Sequence, residues 1–128
     1  MKQQLALVTL VVDDYDSAIT FYRDILGFEL VEDTYLPLES KRWIVVKPIG
    51  SSCGFVLGRA SSPAQIAAIG NQTGGRVSFF LQTDDFWRDY HDYQRKGVRF
   101  IRDPKQADYG IVAVFQDIYG NLWDLLGD

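Results

Sequence analysis

A half-length internal repeat constrains this chain more than any other feature of its sequence. The β-branched-rich run LALVTLVV leads into Asp13-Asp14 and a helix-patterned stretch closed by Gly27. The run GRVSFFLQT leads into Asp84-Asp85 and a second such stretch closed by Gly97. Asp14 and Asp85 lie 71 positions apart, and their distances to the closing glycine are 13 and 12 positions. Ala18, Phe21, Tyr22, Ile25 and Leu26, and then Phe86, Tyr90 and Tyr93, recur at three- and four-residue spacings, the signature of one buried helix face. The aspartates supply caps and negative charge at the helix start, and the glycines supply the stop. Strands FELVED, RWIVVK and CGFVLGR follow in the first half; VRFIRD, ended by Pro104, GIVAVFQD and LWDLL follow in the second.

The order β-α-β-β-β therefore occurs twice, which makes the fold α+β with two βαβββ modules. We place module 1 at about 1–60, a connector with a helical turn at about 61–73, and module 2 at about 74–128, within one domain. One helix covers one face of each sheet. The other face needs a partner surface, so the expectation is two modules enclosing a concave cup.

Composition removes several functional classes. One Cys rules out an internal disulfide framework, and one His with one Cys cannot build a Cys/His zinc site. A net charge of −4 argues against nucleic acid, which needs a basic face, and favours a cationic ligand. The apolar run Leu5–Val12 is eight residues, against about 20 for a membrane helix, so we expect no membrane partner and a cytoplasmic location. Eight Phe, seven Tyr and three Trp point to a well-filled core or a ring-lined cavity.

The stretch VVDDYDSAITFYRDILGFEL and the closing FQDIYGNLWDLL, in which Ile118 stands where a proline is usual, resemble the vicinal oxygen chelate superfamily of glyoxalases, bleomycin resistance proteins and extradiol dioxygenases. The resemblance spans essentially the whole chain. It implies a half-barrel cup of paired modules, commonly in a homodimer. In the metalloenzyme members it also implies a divalent metal held by His, Gln or Glu from the first and a late strand of each module. Carried over by position, those ligand places fall on Leu7, Leu57, Ser78 and Asp124, three of which lack a ligand-type side chain. No cofactor is therefore expected, with a divalent metal as the lesser alternative.

Strand alternation puts Arg76, Ser78, Phe80 and Gln82 on one face, Leu7 and Thr9 on one face of the first strand, and Asp124 on a face shared with Leu122 and Leu126. Together with Trp43 and Leu57 these are the expected cup-lining, ligand-binding residues. Arg76 either pairs with Asp124, binds an anionic group, or lies in solvent. Trp123 and His91 read as core and helix-surface residues, and Tyr35 and Tyr109 as loop residues. The functional expectation is a small-molecule-binding protein without the usual metal and with no assigned catalytic residue. The alternatives are a metal-dependent lyase or dioxygenase-like enzyme that recruits Asp124 with Glu32, Asp33, Glu39 or His91, and a non-catalytic dimeric scaffold whose cavity is filled by Leu7, Phe80 and Trp43.

Overall fold

A computed structural model describes all residues, 1–128. The chain divides into two compact units, residues 1–69 and 70–128. The first holds β1 (Leu7–Val12), α1 (Tyr15–Ile19) continued by a π-helical stretch (Thr20–Ile25), β2 (Glu29–Leu36), β3 (Lys41–Lys47), β4 (Gly54–Arg59) and α2 (Pro63–Ala68). The second holds β5 (Val77–Gln82), α3 (Phe86–Arg95), β6 (Arg99–Ala107), β7 (Gly110–Gln116) and β8 (Leu122–Gly127). The sheets have the same topology, β1-β4-β3-β2 and β5-β8-β7-β6, with the first and last strand of each module parallel and the other neighbours antiparallel. Both sheets are open and neither closes into a barrel.

The repeated aspartates cap as expected. Asp14 Oδ2 accepts from the Ser17 N–H at 2.8 Å, and Asp85 Oδ1 accepts from the Arg88 N–H at 3.2 Å. In unit 1, Leu10, Val12, Ile44 and Val46 are fully buried, and Tyr22 packs its ring against Phe21, Phe28 and Phe55 at centroid separations of 5.1, 5.4 and 5.8 Å. In unit 2, Tyr93 meets Phe115 at 5.6 Å and Phe115 stacks on Trp123 at 5.7 Å, so Trp123 is core. Leu125 and Phe86 are fully buried beside them.

Three local expectations are corrected. The first helix is not uniformly α. It widens after Ile19, and the Leu26 N–H reaches the Phe21 carbonyl five residues back at 3.0 Å. Phe21, Tyr22 and Leu26 are all buried across this wide turn. Strand β6 runs through Pro104 instead of ending there. It is an edge strand with register shifts at Arg102 and Lys105, where a missing N–H costs no ladder bond. Tyr35 lies in β2 and not in a loop, because β2 and β3 pair as far as Leu36 and Lys41. No helix is long and apolar enough to cross a membrane.

Candidate functional site

The face of the first sheet opposite its buried Leu10, Ile44 and Val46 row carries a concavity of about 520 Å³. Its floor is made by Thr9 and Val11 of β1, Trp43 of β3, and Val56 and Gly58 of β4. Pairing of β1 with β4 puts Thr9 opposite Val56 and Val11 opposite Gly58. Gly58 leaves the floor bare there: a Cβ on it would come 3.2 Å from Thr9 Cγ2. Trp43 is 37% exposed, with its ring available on the open side. Leu57 borders the concavity but pairs with Leu10 of the buried row, so its side chain belongs to the core and not to the open floor expected for it.

One end of the concavity is built around Tyr15, at the start of α1. Arg42 and Arg59 place their guanidinium carbons 5.4 and 5.7 Å from the centre of its ring. Arg42 is locked. Its Nε and Nη2 donate to the two carboxylate oxygens of Asp33 at 3.1 and 2.7 Å, and Nη1 donates to Asp16 Oδ1 at 2.9 Å. This fork ties β3 to β2 and to the start of α1, and it holds the Asp33 carboxyl below the usual carboxylate range. Asp14 is also held low, chiefly by its hydrogen bonds from Ser17 and less by Arg42 and Arg59. Lys41 sits 3.6 Å from Glu39 on the turn that forms another wall. Arg59 is brought beside the helix start because β4 runs parallel to β1 and pairs it with Val12.

Thr9 and Trp43 thus share this concavity, with Leu57 at its border, while Leu7 lies half-buried at the start of β1. The remaining predicted residues belong to unit 2. Phe80, Asp124 and Val114 lie side by side across β5, β8 and β7, and Gln82 pairs with Leu126. Phe80 is 64% exposed on this face. A bulge between Val77 and Phe79 breaks the simple alternation at Ser78, whose hydroxyl lies 2.8 Å from the Thr73 hydroxyl. Arg76 is exposed in the turn before β5, outside the strand, and forms no ion pair with Asp124. Glycine-rich turn geometry, not strand pairing, governs that position.

Sequence reasoning missed Tyr15, Arg42, Arg59 and Gln65. The readable signal was the pattern of cations flanking Trp43 and ending GFVLGR, which becomes meaningful only once β4 is known to lie against β1.

Asp124 is the one acid whose carboxyl is raised, by burial first, with the Arg102 charge acting in the opposite direction. The folded protein therefore favours the protonated acid. That stabilisation is complete below the unfolded-state pKa and is lost as pH rises through the folded-state one. Asp124→Asn should raise the melting temperature at neutral pH by about 1–2 °C, with the gain fading toward about pH 4. Paired thermal melts of the two proteins across that range check it, and a parallel pair of curves would contradict the sign.

The residues at the resemblance-derived ligand places do not suit a divalent cation. Leu7 and Leu57 have no donor atom, the Ser78 hydroxyl is engaged with Thr73, and nowhere do three His, Cys, Asp or Glu side chains converge as a metal-binding group. Asp33 is taken by Arg42, Glu32 accepts from Thr34 at 3.0 Å, and His91 is exposed on α3, its ring 5.8 Å from Trp87.

Residues 4–125 match the family model of the Glyoxalase/Bleomycin resistance protein/Dioxygenase superfamily. An uncharacterized protein of Shewanella frigidimarina (strain NCIMB 400) is 58% identical, over 98% of this chain and 94% of its own length. Among solved structures, UcmS2 is similar at TM-score 0.84 and 28% identity, with 98% of both chains covered. TnmS3, an antibiotic binding protein from Streptomyces sp. CB03234, is similar at TM-score 0.78 and 29% identity, covering 98% of this chain and 96% of its own.

Proposed function

The chain belongs to the Glyoxalase/Bleomycin resistance protein/Dioxygenase superfamily, and from that membership we propose that it is a small-molecule-binding protein working without the family's metal centre. The observation that carries this reading is the first-unit concavity of about 520 Å³, floored by Trp43, Val11 and Val56 and walled by a few polar groups. Its size and mixed lining are those of a small-ligand site. The open Trp43 side chain at the concavity favours a binding role over a filled one. The likeness to TnmS3 supports the same direction, since that protein is an antibiotic binding protein. We further propose a cytoplasmic homodimer.

Two measurements test the reading. Elemental analysis of purified protein should find no stoichiometric transition metal; one ion per chain would overturn the metal-free assignment. Titration with the neutral probe 2-naphthalenemethanol, followed by ¹H–¹⁵N NMR, should move the Trp43 indole and the Val11 and Val56 amides. Trp43→Ala should weaken that binding about tenfold, the loss expected for a stacking surface of this kind. Unmoved signals at millimolar probe would defeat the proposal.

A further inference from the structure

The two arginines beside Tyr15 look alike in sequence and differ in what they are free to do. Arg42 has all three nitrogens of its guanidinium committed to Asp33 and Asp16. The Arg59 side chain donates no hydrogen bond and forms no ion pair; its neighbours are the Tyr15 ring and, at longer range, the Asp14 charge. Asp14 is itself occupied as the helix cap, accepting from both the Ser17 N–H and the Ser17 hydroxyl. Arg59 therefore presents a planar fork of donors at the rim of the concavity, beside the Tyr15 ring.

A second donor stands at the same rim. Gln65 Oε1 accepts from the Ser61 backbone N–H at 2.8 Å and from the Ser61 hydroxyl at 3.1 Å. A backbone N–H only donates, so the amide orientation is fixed and the Nε2 protons face away from Ser61 with no partner in the chain. Arg59, Ser61 and Gln65 all line the concavity. The chain's overall charge of −4 favours a cationic ligand, yet the uncommitted polar groups here are donors. The one carboxylate in the lining, Glu39, faces Lys41.

We propose that this concavity selects a flat, apolar small molecule carrying a carboxylate. The skeleton lies against Trp43, Val11 and Val56, the carboxylate docks on the Arg59 fork, and Gln65 Nε2 donates a further hydrogen bond. The inference rests on the small-molecule-binding reading above and adds the charge and the receiving residue. A guanidinium fork meets a carboxylate through two parallel hydrogen bonds, which sets direction as well as affinity.

The test compares three probes of one ring system, 2-naphthoate, 2-naphthalenemethanol and 2-naphthylmethylammonium, by NMR titration at pH 7 of the full chain, Arg59→Gln and Arg59→Lys. Arg59 is exposed and its close contact is the Tyr15 ring, so both variants should stay folded, with melting curves shifted by a few degrees at most. Naphthoate is expected to bind about tenfold tighter than the alcohol, and the ammonium weakest. Arg59→Gln should bring naphthoate down to the level of the alcohol while leaving the alcohol unchanged. Arg59→Lys should retain part of the preference, because it keeps the charge and loses the fork. If the alcohol binds as tightly as naphthoate, or the preference survives Arg59→Gln, the inference is overturned while the binding reading stands. If no probe moves the Trp43, Val11 and Val56 signals, both fall.

Discussion

Replacing Asp117 with alanine should cost about 3–4 kcal/mol of stability in unit 2, the cost of leaving several buried donors without an acceptor. Asp117 and Asn121 are the two buried polar residues of the chain, 5% and 1% exposed. Asp117 Oδ1 accepts from the N–H groups of Tyr119 and Asn121, each at 2.9 Å, and Oδ2 accepts from Asn121 Nδ2 at 2.8 Å. The Asp117 N–H returns a bond to the Asn121 carbonyl at 3.0 Å. One carboxylate thus closes the whole turn between β7 and β8. Ile118, exposed at the turn, makes no such demand. Gly70 presses on the same turn: a Cβ there would collide with the Tyr119 carbonyl oxygen. Asp117→Asn should be much milder, about 1 kcal/mol. Its carbonyl keeps the two backbone bonds, and its new amide can donate to Asn121 Oδ1 once the Asn121 amide turns over, which exchanges one unpartnered buried atom, Oδ1, for another, Nδ2. Urea titrations followed by Trp123 fluorescence check both; equal losses in the two variants would show that charge, not acceptor count, holds the turn.

Tyr22→Ala should cost about 4 kcal/mol, the usual range for emptying a large ring from a packed interior. Tyr22 is fully buried and touches three other rings, so no neighbour can fill the space without breaking its own contacts. Tyr22→Phe separates ring from hydroxyl and should keep most of the stability. Chemical denaturation gives both numbers. A loss in the alanine variant of under about 1 kcal/mol would mean that the ring cluster is loosely packed.

The module order and the core were legible because they rest on short-range rules. Acid-capped helices, closing glycines and apolar spacing fixed both copies, and Tyr22, Phe86 and Trp123 are core residues as their patterns indicate. What escaped was anything that depends on a local irregularity. The bulge at Ser78 defeats an alternation argument, and no spacing in the sequence distinguishes the widened turn after Ile19 from an ordinary α-helix. The candidate site was half legible. Thr9 follows from strand alternation and Trp43 from the cations that flank it, whereas Leu57 was expected from the family's ligand pattern and alternation turns its side chain toward buried Leu10. Tyr15, Arg59 and Gln65 come from three separate elements that meet only after β4 returns parallel to β1, a long-range pairing that no local pattern announces.

The outer strands β2 and β6 have one more consequence. Each exposes an unpaired backbone edge, the kind of surface on which stray chains add and aggregate. Both are spoiled for that purpose. Strand β2 carries Glu29, Glu32 and Asp33 and a register break between Leu30 and Glu32. Strand β6 carries Arg99, Arg102, Lys105 and Pro104 and two such breaks. The same strand of a second copy laid along its own kind would lose bonds at the kinks and meet mostly like-signed charge. Pairing of like outer edges, β2 on β2 or β6 on β6, is thereby disfavoured.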